Sequence, residues 1–383
     1  MESRVARSLR LVVIFGLTLG LPRMSQANAV EPQFSVTNYG AKCDDIAEDS
    51  VAIESAFRAA GSKCHLLADQ GVVNQAFVSL PAAHTCKVSV PLSINGSCVG
   101  IESNGAALDF RAMQVKPGSV VAALTVNSAH PVSPYGDNVT VWDGLHLIGP
   151  GKDTRSIGLL VKTGQAVFQR SNVHGFGVGI QLGDYAFIDS FTHPSIWNVG
   201  IGIYCPPRQV DAGENITVQQ GAIFNSDVGI NNQGCGMTIS GTSFDGLSGS
   251  TIIDATEGGG DLRCSNCYIE YFTPISVPIF QLGACNAWEF IDFQGGQVRS
   301  DYTKGANMKA LISNNPKRLC GGTGSWAYFN DVFFGNLSPS AKCDAGSGPA
   351  CIVGSNAARV RVERSTNGSG GGDMWNVEVG RQK

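Results

Sequence analysis

The sequence repeats one short motif, a small residue followed by an aliphatic one inside a brief apolar run, at intervals of 21 to 32 residues. Each interval also holds a second short apolar segment. A period of about 20 to 30 residues with several short strands is typical of solenoids, in which each repeat buries its apolar face against its neighbours. The clear copies of the motif are Gly158-Leu159, Gly179-Ile180, Gly202-Ile203 and Gly229-Ile230, and the weaker copies are Thr251-Ile252, Pro278-Ile279 and Ala310-Leu311. The second segments are Ala166-Val167-Phe168, Ala186-Phe187-Ile188, Ile216-Thr217-Val218, Met237-Thr238-Ile239, Leu262-Arg263-Cys264, Glu289-Phe290-Ile291 and Ala327-Tyr328-Phe329.

Among solenoids, a right-handed parallel β-helix fits this pattern best. Leucine-rich repeats share the period, but their Leu and Asn consensus is absent, and a propeller blade needs about 40 residues or more. Glycine accounts for 48 of the 383 residues, which suits sharp turns because glycine tolerates a positive φ. Only 15% of the residues are charged, against about 25% in an average domain, so long charged helices are scarce. We therefore predict an all-β, right-handed parallel β-helix with two or three strands per coil and a short N-terminal capping helix.

The first 29 residues have the pattern of a secretory signal peptide. Arg4, Arg7 and Arg10 precede an apolar run over 11–21, and Ala27-Asn28-Ala29 offers a cleavage site. The apolar run is too short to favour the alternative, a membrane anchor. We therefore expect a secreted or periplasmic protein that has no membrane partner after cleavage. The chain without this segment has a formal charge of −7, against −4 for the whole, because the segment holds four Arg and one Glu; this acidic balance argues against a nucleic-acid partner.

All twelve cysteines follow the predicted signal peptide. An even number in an exported chain favours disulfides. Cys264 and Cys267 have the spacing of a zinc pair, but no second pair of ligands lies nearby in the sequence, so a metal is the weaker interpretation. Near neighbours are the expected partners: Cys264 with Cys267, Cys285 with Cys320, and Cys343 with Cys351.

Four segments are expected along the chain. They are a signal peptide at 1–29, an N-terminal strand and capping helix at 30–85, the parallel β-helix at 86–340, and a C-terminal coil or cap at 341–383. In the second segment, Ile53, Ala56 and Phe57 share one helical face, and Asp49 or Ser50 can cap the helix. The last segment ends in a strand after a Gly/Ser-rich link.

The residues around the predicted capping helix carry a family resemblance. The run from Phe34 to Lys42, with Tyr39-Gly40-Ala41 inside it, is followed by Asp44-Asp45 and by Asp49-Ser50-Val51-Ala52-Ile53. This run resembles the start of the pectate-lyase-like β-helix superfamily, which includes rhamnogalacturonase-like and polygalacturonase-like enzymes and phage tailspike depolymerases. Cys43 and Asp44 stand where that family usually has Gly and Asp. The resemblance implies the β-helix fold and a polysaccharide substrate. It also implies a trimer, because tailspikes of this family are often trimeric. It carries no catalytic residue, and neither the aspartate motifs of polygalacturonases nor the calcium site of pectate lyases is present.

An apolar residue followed by a polar one recurs at one place in successive repeats. If the apolar members point inward, strand alternation points the polar members outward on one face. Asp245 and Glu270 would then be neighbours whose backbones are about 5 Å apart. The predicted ladder consists of His174, Asn198, Asn225, Asp245, Glu270 and Arg299.

The ladder predicts glycoside hydrolysis, because that reaction needs a proton donor and a second carboxylate. Asp245, Glu270 and Arg299 are the candidate catalytic residues, with Arg299 also able to hold a substrate carboxylate. We expect an acidic exopolysaccharide as the substrate and no cofactor. The candidate substrate-binding residues are His174, Trp197, Asn198, Asn225, Tyr271, Arg208, Asp211 and Glu214, of which the last three form a separate loop cluster.

Other functions stay open at this point. A lyase would use Arg299, Tyr268 or Tyr271 as the base, with Asn225 or His174 neutralising a uronate, and would bring calcium in as an optional cofactor. An epimerase would leave the chain length unchanged. A non-catalytic adhesin or polysaccharide-binding module would use the same face without cleavage, and a ladder of this kind can also be a solvated face with no function.

Overall fold

The computed structural model describes residues 33–63, 65–67, 72–74, 76–95, 99–127, 140–207, 209–254, 261–272, 279–282, 290–300, 312–314, 326–335, 359–367 and 374–379. The predicted signal peptide lies outside these residues, as do the predicted pairs Cys285–Cys320 and Cys343–Cys351. From Gln33 onward, the described residues belong to one compact unit.

The chain coils into three parallel sheets, here called A, B and C, and each regular coil adds one strand to each sheet. The fold is the predicted right-handed parallel β-helix. Sheet A contains Gln33–Ser35, Ala76–Ser79, Val99–Glu102, Thr140–Asp143, Ala166–Gln169, Ser190–Thr192, Ile216–Gln219, Met237–Ser240, Asp261–Ser265, Phe290–Gln294, Trp326–Asn330 and Arg359–Asn367. Sheet B contains Asp44–Glu48, Thr85–Lys87, Ala107–Asp109, His146–Ile148, Asn172–His174, Ser195–Trp197, Ala222–Phe224, Ser243–Asp245, Tyr268–Tyr271, Gln297–Ser300 and Phe333–Gly335. Sheet C contains Leu92–Asn95, Val121–Asn127, Ser156–Lys162, Val178–Leu182, Ile201–Cys205, Val228–Asn232, Ile252–Asp254, Phe280–Leu282 and Ile312–Asn314.

Few elements lie outside the three sheets. A 3-10 helix spans Val36–Tyr39, and the predicted capping helix spans Ser50–Lys63, with Ile53, Ala56 and Phe57 buried. His65–Leu67 and Val72–Asn74 form an antiparallel pair. Met374–Val379 folds back antiparallel on Arg359–Asn367.

Among the described residues, no helix is both long and apolar enough to cross a membrane.

Side chains from successive coils stack in columns inside the helix. In sheet A, Trp142, Phe168 and Phe191 lie in register, with ring centroids 5.9 and 5.0 Å apart. Phe57 of the capping helix stacks on Trp142 at 6.3 Å, so the helix packs against this aromatic column. In sheet C, the matching positions of the repeat supply the column Leu159, Ile180, Ile203, Ile230, Ile252 and Phe280.

The strand register corrects three details of the predicted repeat. Ile252 pairs with Phe280, and Phe280 with Ile312, so each of the last two weak copies was placed one residue too early. The segment Ala186-Phe187-Ile188 is a turn rather than a strand, because Ile188 has a left-handed φ of 55° and the strand follows at Ser190–Thr192. That strand places Phe191 in the aromatic column of sheet A.

Three disulfides lie among the described residues: Cys43–Cys86 and Cys205–Cys235 join successive coils, and Cys264–Cys267 lies within one coil. The last pair confirms the prediction. The other two link cysteines 43 and 30 residues apart, and such separations give no sequence signal of pairing. The predicted boundary between residues 85 and 86 falls inside the sheet B strand Thr85–Lys87.

The small residue of the repeat motif is required by crowding between sheets B and C. A Cβ added to Gly202 would overlap the carbonyl oxygen of Gly229 and lie 2.7 Å from Cγ2 of Ile223. We therefore expect Gly202→Ala to lower the free energy of unfolding by about 1–3 kcal/mol, the usual cost of overpacking a core. Urea denaturation followed by circular dichroism measures this change.

Gly236→Ala is the matched control. A Cβ at Gly236 would meet no atom closer than 3.7 Å, and its φ is not left-handed, so this substitution should leave stability unchanged or raise it slightly. Equal destabilisation by both variants would contradict the crowding explanation.

Candidate functional site

The outer face of sheet B carries two parallel rows of side chains, because every second residue of each strand points outward. The outer row is formed by the last outward-pointing residue of each strand, and the flanking row is formed by the residue two positions before it. The outer row consists of Asp109, Ile148, His174, Trp197, Phe224, Asp245, Glu270 and Arg299. The flanking row consists of Ala107, His146, Asn172, Ser195, Ala222, Ser243, Tyr268 and Gln297.

The outer row confirms the predicted alignment of His174, Asp245, Glu270 and Arg299, but not that of the two asparagines. Asn198 and Asn225 follow Trp197 and Phe224 by one residue and have left-handed φ values of 51° and 49°. The inward residues of these strands are isoleucines, so the aromatic residues that the sequence pattern assigned to the interior point outward. Asparagine tolerates the left-handed region, and both asparagines are exposed turn residues.

Asp245 is a partly buried carboxylate with an incomplete set of hydrogen bonds. The Ser243 hydroxyl donates to Asp245 Oδ2 over 2.7 Å. Asp245 Oδ1 is buried, and no hydrogen-bond partner for it lies among the described residues. Burial raises the pKa of the Asp245 carboxyl, and the Ser243 hydrogen bond opposes this shift. Asp245 therefore holds its proton at a higher pH than an exposed aspartate does.

Glu270, the register partner of Asp245, has charged and polar neighbours. The Tyr268 hydroxyl donates to Glu270 Oε2 over 2.8 Å, and Arg299 Nε lies 3.6 Å from Glu270 Oε1. The Glu270 side chain is 13% exposed, and that of Arg299 is 40% exposed. Both contacts stabilise a negative charge on Glu270. Burial and the neighbouring Glu270 raise the pKa of Tyr268 to about 12.

Three rings of the outer row stack on one another. The His174 and Trp197 rings lie 4.1 Å apart at 14°, and the Trp197 and Phe224 rings lie 6.0 Å apart at 8°. Trp197 Nε1 donates to Asn172 Oδ1 over 3.1 Å. Both faces of the Trp197 ring are therefore covered by neighbours, and Trp197 can offer a sugar an edge but not an open face.

His174 and His146 form a close pair with their Nε2 atoms 3.2 Å apart. Burial lowers the pKa of both rings, and for His174 the value falls to about 4 with further contributions from His146 and Arg111. At neutral pH the His174 imidazole is uncharged, so it cannot neutralise a uronate there.

Tyr271 does not lie where the sequence placed it. Its side chain is 1% exposed and points inward, with its hydroxyl 2.7 Å from Thr251 Oγ1 and 3.1 Å from the Gly249 carbonyl oxygen. Burial raises its pKa strongly. The exposed ring is the next residue, Phe272. Alternation continued past Glu270 places Tyr271 inward and Phe272 outward, a signal that sequence reasoning did not use.

The predicted loop cluster is separate from the outer row. Arg208 lies outside the described residues. Asp211 and Glu214 are exposed in the turn that leads from sheet C to sheet A. Neither lines the neighbouring pocket of about 170 Å³, whose walls are Leu182, Gly183, Cys205, Pro206, Gln209, Ala212, Gly234 and Cys235.

A group of potential metal ligands among the described residues consists of Cys43, Asp49 and Cys86. The two sulfurs form a disulfide, and the Asp49 carboxylate accepts backbone N–H groups of Lys42 and Cys43 over 2.8 and 3.0 Å. These contacts give the group a structural role at the start of the β-helix.

No family model matches the chain, and no curated protein matches it either. Several solved structures do match the chain. The enzymatically active domain of tailspike protein 4 from bacteriophage CBA120 has a TM-score of 0.59 at 13% identity, over 88% of this chain and 44% of that one. The ORF18 protein of Geobacillus virus E2 has a TM-score of 0.58 at 13% identity, over 88% and 61%. A tailspike mutant of E. coli bacteriophage HK620 in complex with a pentasaccharide has a TM-score of 0.50 at 13% identity, over 88% and 61%.

The chain thus spans about half the length of the phage proteins it matches. At 13% identity the similarity concerns the fold. The chain shares the right-handed parallel β-helix of phage tailspikes, which is the architecture that the resemblance of its N-terminal residues implied.

Proposed function

We propose that this protein hydrolyses glycosidic bonds of a polysaccharide on the outer face of sheet B. The observation that carries the proposal is the pairing of Asp245 and Glu270 in adjacent coils, in environments that favour opposite protonation states. Glycosidases place their two carboxyl groups in different environments, so that one serves as the proton donor and the other stays charged. The tailspike that was solved with a pentasaccharide supports a glycan ligand for this fold.

The contacts assign a role to each side chain. Asp245, whose pKa is raised by burial, donates a proton to the leaving oxygen. Glu270 stays ionised beside Arg299 and Tyr268 and supplies the second carboxylate that hydrolysis requires. Arg299 and Tyr268 are positioning residues, since they act through Glu270.

The charges of the face favour a neutral polymer over the acidic one that the sequence suggested. Arg299 lies against Glu270, so it is not placed to recognise a substrate carboxylate. The positively charged side chain among the described residues of the two rows is Arg299, and its ion pair with Glu270 leaves a polyuronate without an unpaired cation to bind there.

The lyase alternative lacks a suitable base among its candidates. Tyr268 has a pKa raised to about 12, the buried Tyr271 cannot reach a substrate, and Arg299 is a guanidinium in an ion pair. A binding module without activity remains the contrasting function, because it would use the same face.

A panel of neutral and acidic polysaccharides tests the proposal. Galactomannan, xyloglucan and dextran serve as neutral probes, and polygalacturonate and alginate as acidic ones. We expect shortened chains and new reducing ends with a neutral polymer, without the absorbance at about 235 nm that an unsaturated lyase product gives. Binding without shortening would favour the non-catalytic alternative, and a rise in that absorbance would establish a lyase.

Asp245→Asn should abolish cleavage without unfolding the protein. Loss of a general acid typically reduces the rate by about 10²- to 10⁴-fold. Because the folded-state pKa of Asp245 is raised, its protonated form adds stability that is lost as the pH rises through that pKa. At neutral pH the neutral amide should therefore match or exceed the stability of the wild type. Rates of reducing-end formation and thermal unfolding measure the two effects.

Asp292→Asn is the matched control. Asp292 also has one buried carboxylate oxygen without a hydrogen-bond partner among the described residues, and its other oxygen accepts from Gln294 over 2.9 Å. It belongs to sheet A, away from the two rows, so its amide variant should keep full activity. Equal losses in the two variants would remove Asp245 from the active site.

Ser243→Ala should move the alkaline limb of the pH–rate profile to higher pH. The Ser243 hydroxyl lowers the pKa of Asp245, so its removal raises that pKa further and keeps the acid protonated over a wider range. Alanine already occupies this position one coil earlier, at Ala222. Ser195→Ala, in the same row but two coils from Asp245, should leave the profile unchanged. A shift toward lower pH would contradict the assignment of Asp245 as the acid.

A further inference from the structure

The coil that contains Glu270 departs from the turn that its neighbours use. In four preceding coils the sheet B strand is followed by a residue with left-handed φ, and the next residue is buried. The left-handed residues are Gly175, Asn198, Asn225 and Gly246, and the buried residues that follow them are Phe176, Val199, Ser226 and Leu247.

In the Glu270 coil the left-handed residue is missing. Tyr271 continues the strand without a positive φ and turns inward, where its hydroxyl reaches Thr251 and the Gly249 carbonyl. The following residue, Phe272, is therefore on the outside and is 48% exposed. A regular coil would have buried the residue at this position.

The exposed ring lies against the residue that follows Asp245. A Cβ added to Gly246 would be 3.0 Å from Phe272 Cδ2 and 3.1 Å from Asn225 Oδ1. The Phe272 ring, the bare backbone of Gly246 and the Asn225 amide thus form one patch. Gly246 follows Asp245 in the chain, and its backbone N–H donates to the Glu270 carbonyl oxygen over 2.9 Å, so the patch adjoins both carboxylate residues.

We infer that Phe272, Gly246 and Asn225 form a sugar-binding subsite beside the two carboxylates. The exposed ring offers an apolar surface to the C–H face of a neutral sugar, and the exposed Asn225 amide can both donate to and accept from hydroxyls. Gly246 leaves the space that a side chain would fill. The inference rests on the proposed function and adds to it the group that seats the sugar at the reacting bond.

Binding is measured in the Asp245→Asn background, so that the polymer is held without being cut. Galactomannan, xyloglucan, dextran, polygalacturonate and alginate are each titrated into protein carrying Phe272, Phe272→Ala or Phe272→Trp. We expect Phe272→Ala to weaken binding of the neutral polymers about tenfold, which corresponds to about 1.4 kcal/mol. Phe272→Trp should keep the affinity, and its added indole should change fluorescence as the polymer binds.

With Asp245 intact, Phe272→Ala should raise KM and leave kcat close to that of the wild type. Tyr39→Ala is the control, since Tyr39 is an aromatic residue with 37% exposure in the 3-10 helix near the start of the β-helix, and it should change neither constant. Two results would each overturn the inferred subsite. One is unchanged polymer binding by Phe272→Ala, and the other is the lack of a fluorescence response of Phe272→Trp to any of the five polymers.

The failure of the subsite and that of the proposed function are distinguishable. If the wild type cleaves a polymer and Phe272→Ala behaves like it, the subsite alone is wrong. If the Phe272 variants respond as expected while Asp245→Asn still cleaves, the subsite stands and the acid must be another residue.

Discussion

Each coil of this protein is fixed by the side chains that it stacks against the coils on either side. Phe168 can lie only between Trp142 and Phe191 if the strands that carry these rings keep their register. A slip by one residue would turn every inward side chain of a strand to solvent. The same register fixes the outer face. When two inward residues pair across adjacent coils, the outward residues next to them in the strands pair as well. Asp245 and Glu270 adjoin one another because Phe244 and Ile269 do.

Stacking also explains how an outward carboxylate becomes partly buried. Asp245 lies between Phe224 and Glu270 in the outer row, and Ser243 and Tyr268 belong to the flanking row beside it. Water has limited access to a short side chain among longer ones, so ionisation of Asp245 is disfavoured. Glu270 is one methylene longer and reaches Tyr268 and Arg299. The difference between the two carboxyl groups thus follows from side-chain length and neighbours in a regular lattice of strands.

The fold was readable from the sequence because its signal is repeated many times. The spacing of Gly202-Ile203 and its copies predicts stacked coils, and the two copies placed one residue too early do not change the conclusion. The candidate site was only partly readable, since its signal depends on single residues. Trp197 and Phe224 are as apolar as the interior residues beside them, and composition alone cannot show which of two adjacent apolar residues points inward. The Arg299–Glu270 contact and the His146–His174 pair depend on side-chain conformations that no spacing encodes.

Repetition is also what makes a local departure informative. A turn residue in the left-handed region recurs from Gly175 to Gly246, which shows that the lattice accommodates it readily. Its loss at Tyr271 keeps a large phenol inside and turns Phe272 outward, where exposure of an apolar ring brings no gain in folding stability. Departures from a locally regular pattern occur chiefly at functional or strained sites. The coil that departs from its four predecessors is the one that carries Glu270, so the irregular turn and the unlike carboxyl groups mark the same stretch of the outer face.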